Sequence, residues 1–241
     1  MLGGGGLSLG RGGIPPMVRN LIIINATVYL LSLLYINWVP PVGEAPLLRH
    51  LLLWAPDFFS GKIWQPVTYM FLHSFSDIFH ILFNMFVLWM FGSIFEARYG
   101  SKKFLRYYLI CGLGGGVAVL LCHLLFPNTA FFNVPVLGAS AAVLGLVVAF
   151  GVNHPNAHVY LFFVIPIKGR YIPLAVVVGD ILINFMGARI ASHAHLGGML
   201  TGWLLLTGYW HPQSWRRLRD QWQFKRRHRE MRRRFKDLNR K

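Results

Sequence analysis

Long apolar segments dominate this chain and restrict what it can fold into. Helices that are apolar on every side need lipid or other helices as neighbours. Only 13% of the residues are charged, about half the share expected in a soluble domain. The sequence therefore predicts an all-α fold, a polytopic membrane bundle over residues 18–210. We place its six transmembrane helices at about 18–38, 78–96, 104–126, 138–152, 171–187 and 193–210.

Two tails flank the predicted membrane domain. Residues 1–17 are rich in glycine and predict a flexible N-terminal tail. Residues 211–241 hold 13 lysines and arginines against 3 acidic residues, and so carry most of the formal net charge of +16. A basic segment after apolar spans predicts a cytoplasmic tail held by anionic lipid, which we favour over nucleic acid as its partner.

The charges of the connecting loops predict the orientation of the bundle. The connection between spans two and three and that between spans four and five carry lysine and arginine, as the C-terminal tail does. The loop at 127–137 carries no charge. Because basic loops stay in the cytoplasm, we expect both termini to be cytoplasmic. A compact form without extra domains suggests a bacterial inner membrane.

Three groups of polar side chains interrupt the apolar segments, where each is costly and needs a reason. They are His80 with Asn84 in span two, Ser140 in span four, and His193 with His195 in span six. A lone serine usually serves packing, and a histidine and an asparagine at i, i+4 more often join helices. In the predicted orientation, however, His80, Ser140 and His195 all lie within about one turn of the outer face. This shared depth favours a single site.

Glycines predict how the serine and the histidine could meet. Gly198 and Gly202 follow His195 at i+3 and i+7, on the same helix face. Such a Gly-x-x-x-Gly surface lets another helix approach closely. A serine–histidine hydrogen bond between two helices requires that approach, at about 2.6–3.2 Å. Gly138, two residues before Ser140, has no side chain and so leaves space at the start of the fourth span.

Several different short motifs are distributed along the predicted membrane domain, and we give them in chain order. They are Gly61–Thr68, Phe71–His73, His80–Met85, Phe91–Gly92 with Glu96 and Gly100, Gly138–Ala141, and Ala194–Gly198 with Gly202. In this order and on these spans they resemble the rhomboid family of intramembrane serine proteases. The resemblance covers nearly all of residues 18–210.

The resemblance implies a reaction and the residues that perform it. Ser140 would be the nucleophile and His195 the general base of a dyad without an aspartate. His80 and Asn84 would stabilise the oxyanion together with the Ser140 N–H. The implied activity is endopeptidase cleavage of transmembrane protein substrates at a site open to the extracytoplasmic side, with no cofactor and no metal. Asp180, which has no role in this scheme, is expected to pair with a neighbouring helix.

The chain departs from the family pattern at three places. Ala141 replaces a glycine, Leu144 stands where a tyrosine is frequent, and Gln65 replaces an arginine. The departures at Ala141 and Leu144 leave a second hypothesis open, a catalytically inactive rhomboid-like protein that binds membrane-protein clients. Other intramembrane chemistries fit poorly, because the His-Glu-x-x-His pattern of zinc proteases is absent and an aspartyl protease needs two carboxylates that share a site.

Overall fold

The computed structural model describes residues 13–39, 46–161, 164–186 and 191–208. The chain divides into two compact units, Met1–Trp203 and Leu204–Lys241. Of the second unit, the described part is 204–208, at the end of the last described helix. The predicted C-terminal tail and residues 1–12 of the predicted N-terminal tail lie outside the described residues.

The described fold is mostly helical. Its helices are α1 Pro16–Trp38, α2 Pro46–Leu51, α3 Ala55–Phe59, α4 Gln65–Thr68, α5 Ile78–Val87, α6 Ser93–Tyr99, α7 Ser101–Leu125, α8 Ser140–Asn153, α9 Ile172–Phe185 and α10 Ser192–Thr207. A π-helical turn, Leu88–Gly92, joins α5 and α6 into one helix. The strands β1 His158–Leu161 and β2 Ile165–Lys168 form an antiparallel hairpin between α8 and α9. The prediction of a purely helical chain is therefore incomplete.

Among the helices that the structure describes, three are long and apolar enough to cross a membrane. They are Pro16–Trp38, Ile78–Tyr99 and Ser101–Leu125, and they coincide with the first three predicted spans. The helices α8, α9 and α10 lie at the other three predicted spans but have only 14, 14 and 16 residues. The fold is thus that of a polytopic helical membrane protein, and the count of six spans stays a prediction.

Helix α8 occupies the centre of the core. Every residue from Ala141 to Gly151 is buried, whereas Leu30 and Leu31 of α1 are each 59% exposed. A helix of 14 residues rises about 21 Å, which is less than a hydrocarbon core of about 30 Å. The structure therefore encloses the shortest of the predicted spans in protein on all sides.

Backbone hydrogen bonds fix the segment that leads into α8. The N–H and carbonyl groups of Leu53 and Val136 pair with each other, at 3.0 and 2.8 Å. Two residues later, the N–H of Gly138 donates to the carbonyl of Tyr69 at 2.9 Å. The entry to α8 is thereby tied to the region between α2 and α5.

The buried carboxylate of Glu96 caps the N-terminus of α1. It accepts the N–H groups of Met17 and Val18, at 2.9 and 2.8 Å, and the hydroxyl of Ser101 at 2.6 Å. We expect Glu96→Gln to lower the free energy of unfolding by about 1–3 kcal/mol, because an amide nitrogen would replace one acceptor and the negative charge would be lost. Thermal unfolding in detergent measures this. Ser101→Ala removes one of the three bonds and should cost less; an equal loss would contradict the capping role.

Candidate active site

Ser140 is the first residue of α8 and follows directly on the fixed segment. Gly138 has a φ of +119°, a left-handed conformation that favours glycine. A Cβ atom at position 138 would also lie 2.6 Å from Nε2 of His80. The first N–H groups of a helix have no intrahelical acceptor and lie at the positive end of its dipole. The Ser140 N–H can therefore face negative charge that develops next to its own hydroxyl.

His195 lies in the first turn of α10, and its Nε2 is 2.8 Å from Oγ of Ser140. This distance is within the range for proton transfer. Gly198 makes the approach possible, because a Cβ there would lie 2.7 Å from the carbonyl carbon of Ala141 and 2.9 Å from its Cα. One turn further, a Cβ at Gly202 would lie 3.1 Å from Cα of Gly145. The two predicted glycines thus lie where α10 meets α8.

Ala141, which replaces the glycine of the family pattern, fits its surroundings. Its methyl group faces Gly115 of α7, and its carbonyl group faces Gly198 of α10. A Cβ on either glycine would collide with Ala141. Glycines on both neighbouring helices therefore provide the space that the extra methyl group needs.

Asp180 lies on the far side of the His195 ring from Ser140. Its Oδ2 is 2.6 Å from His195 Nδ1, and both side chains are 13% exposed. The expectation that Asp180 pairs with a neighbouring helix is confirmed, since it lies on α9 and His195 on α10. The dyad of Ser140 and His195 stays a prediction, and the structure places the carboxylate of Asp180 next to its histidine. A carboxylate in an apolar segment demands a partner, but the sequence did not indicate which one.

His80 reaches the same site from α5. The backbone N–H of Ser74 lies 3.4 Å from His80 Nδ1 and donates to it, which leaves the proton of a neutral ring on Nε2. A Cβ placed on Gly138 would lie 2.6 Å from this Nε2 and 3.7 Å from Ser140 Oγ. The Nε2–H of His80 therefore borders the space beside the Ser140 hydroxyl, where it can donate to an oxyanion.

Asn84 and His73 lie around His80. The buried amide of Asn84 donates to the carbonyl of His80 at 2.8 Å, a bond within its own helix, and its share in stabilising an oxyanion stays a prediction. His73, which lies in one of the motifs but was given no role from the sequence, packs edge-on against His80 with ring centroids 5.3 Å apart. Burial and then the neighbouring His80 lower the pKa of His73 to about 4, so His73 supports His80 as a neutral ring.

The helical membrane domain and this site together define a class of protein. It is a membrane protein in which a histidine contacts both a serine and an aspartate, as in a serine hydrolase. In the part of the chain that the structure describes, no group of three His, Cys, Asp or Glu side chains could hold a metal ion. The Rhomboid domain family matches residues 60–212, more than half of the chain. The chain belongs to the rhomboid family.

Individual relatives come from mitochondria and from bacteria. RHOMBOID-like protein 12, mitochondrial, of Arabidopsis thaliana is 31% identical over 76% of this chain and 55% of its own length. Presenilin-associated rhomboid-like protein A, mitochondrial, of Danio rerio is 34% identical over 61% and 39%. Rhomboid protease AarA of Providencia stuartii is 25% identical over 80% and 72%. The chain thus spans about half the length of the first two relatives.

Proposed function

We propose that this chain is an intramembrane serine endopeptidase that cleaves transmembrane protein substrates. The observation that carries the proposal is the 2.8 Å separation between His195 Nε2 and Ser140 Oγ. The space beside them adds two donors suited to an oxyanion, the Ser140 N–H and the His80 Nε2–H. Each such donor can supply a few kcal/mol of transition-state stabilisation.

The geometry supports a two-step acyl transfer. His195 takes the Ser140 proton as Oγ attacks the scissile carbonyl carbon, and the carbonyl oxygen becomes an oxyanion beside His80. As this intermediate collapses, His195 gives the proton to the leaving amine and an acyl-enzyme remains on Ser140. His195 then deprotonates a water molecule, whose attack releases the new carboxyl terminus and restores the hydroxyl.

The proposal also covers the membrane in which the chain lies and the orientation of the chain in that membrane. Because the relatives include mitochondrial as well as bacterial proteins, the prediction of a bacterial inner membrane has lost support. The basic loops and the basic tail favour one side for both termini, with Ser140 opening toward the other side. Anionic lipid remains the expected partner of the tail.

Labelling by a fluorophosphonate probe tests the proposed activity. In protein reconstituted into liposomes, we expect covalent modification of Ser140, located by mass spectrometry of the modified peptide. His195→Ala should reduce the labelling rate on the order of 10⁴-fold or more, because the hydroxyl would lose its base. His193→Phe is the matched control on the same helix. It keeps a ring against Phe132 and removes two nitrogens that have no hydrogen-bond partner among the described residues.

The alternative hypothesis, an inactive protein that binds membrane-protein clients, predicts a different result. It expects no labelling of Ser140 in any lipid composition, although the chain is folded. Labelling that is equal in the native protein and in His195→Ala would also contradict the proposed chemistry, because it would show a hydroxyl that reacts without the histidine.

A further inference from the structure

Two hydrogen bonds among the described residues join helices α9 and α10. The first joins Asp180 Oδ2 to His195 Nδ1 at 2.6 Å. In the second, the amide of Asn184 donates to the hydroxyl of Ser192 at 2.6 Å. Asp180 and Asn184 are four residues apart on α9, and Ser192 and His195 three apart on α10, so each pair shares a helix face. We call these four residues the α9–α10 clasp.

The two contacts of the clasp differ in what they can do. The hydrogen bond from the Asn184 amide to the Ser192 hydroxyl holds the two helices together. The contact between Asp180 and His195 continues to Ser140, since the opposite ring nitrogen of His195 is 2.8 Å from the Ser140 hydroxyl. Asp180 is therefore placed to act on the reaction through His195.

We propose that Asp180 is a positioning residue that fixes His195 in the tautomer able to accept the Ser140 proton, which makes this site a triad. The inference rests on the proposed function. A neutral imidazole has one protonated and one free nitrogen. A carboxylate on the Nδ1 side accepts the Nδ1–H and so leaves the Nε2 lone pair directed at Ser140. Without it, a ring protonated on Nε2 could not serve as the base.

The charge of Asp180 also bears on the step in which His195 becomes a cation. Among the described residues, the other groups that interact with His195 include Ser140 from α8, His80 from α5 and His193 on its own helix. None of these three is a carboxylate. The Asp180 carboxylate is 2.6 Å from the ring, both side chains are 13% exposed, and opposite charges at this distance attract each other. Asp180 therefore compensates the charge that the reaction creates.

Asp180→Asn tests the inference, because the side chain keeps its size and loses its charge. We expect the rate of fluorophosphonate labelling to fall roughly 10³-fold, with the protein still folded. Ser192→Ala, which opens the other contact of the clasp, is the matched control and should label within about threefold of the native protein. Equal losses in the two variants would show that the clasp only holds helices. Native labelling rates in Asp180→Asn would overturn the inference directly.

A spectroscopic measurement separates this inference from the proposed function. In Ser140→Ala protein with ¹⁵N-labelled histidine, the ring signals of His195 are assigned by their loss in His195→Gln. We expect a proton on Nδ1, and we expect Asp180→Asn to move the neutral ring toward the Nε2–H tautomer. An Nε2–H ring with Asp180 in place would refute the inference even if Ser140 were reactive. If the native protein did not label at all, the proposed activity would fail, and the tautomer would still decide the role of Asp180.

Discussion

Replacement of Ser140 by alanine is expected to lower cleavage of a transmembrane substrate on the order of 10⁵- to 10⁶-fold, to below detection. The proposed reaction forms a covalent bond at Oγ of Ser140, and alanine has no atom that can form this bond. The fold should survive, because the hydroxyl bonds to His195 while the packing of α8 depends on the residues that follow. The loss should therefore be confined to the chemical step.

The measurement is proteolysis of a single-span substrate that is reconstituted into the same liposomes as the chain. Ser93→Ala is the matched control, because Ser93 is also a helical serine, and its buried hydroxyl has no hydrogen-bond partner among the described residues. We expect this control to cleave at the native rate. Cleavage by Ser140→Ala protein at a measurable fraction of that rate would remove Ser140 from the mechanism.

Substitution of Gly198 by valine is the second change with a large expected effect. Even the first carbon of the side chain would lie 2.7 Å from the carbonyl carbon of Ala141, which is closer than packed atoms tolerate. Helix α10 would have to move away from α8, and His195 would move with it. A displacement near 1 Å can cost about 10²-fold in rate, and overpacking of this kind typically costs 1–3 kcal/mol of stability.

Labelling rates and thermal unfolding measure the two effects of Gly198→Val together. Gly179→Ala is the matched control, because Gly179 is also in a helix and a Cβ there meets nothing within 4 Å. That control should keep its activity and gain stability from the higher helix propensity of alanine. Native activity in Gly198→Val would show that the contact between the helices is not required to hold His195 near Ser140.

Much of the fold could be predicted because the length of an apolar segment is a local property of a sequence. The six helices at the predicted spans begin and end within a few residues of the predicted limits. Ser140 and His195 could be found because a polar group in an apolar span is conspicuous. Their common depth then indicated that they meet.

The rest depended on contacts between distant segments, which no local pattern reveals. The partner of Asp180 is set by how α9 packs against α10, and the sequence could say only that a partner was needed. The pairing of β1 with β2 was not predicted, because the apolar run there is short and Pro166 interrupts it. Gln65 departs from the family pattern, yet its buried side chain accepts a hydrogen bond from the N–H of Trp54 at 3.2 Å. This bond helps to fix the segment between α2 and α4.

The enclosure of α8 also bears on how the chain enters the membrane during synthesis. Its 14 residues cannot reach across the bilayer, so an isolated α8 would leave its polar ends and the unpaired N–H groups at Ser140 in hydrocarbon. Its neighbour along the chain, α7, is long enough to cross the membrane and faces Ala141 through Gly115. We therefore expect the translocation machinery to release α7 and α8 into lipid as a pair. Ser140 would then enter the bilayer already in contact with protein.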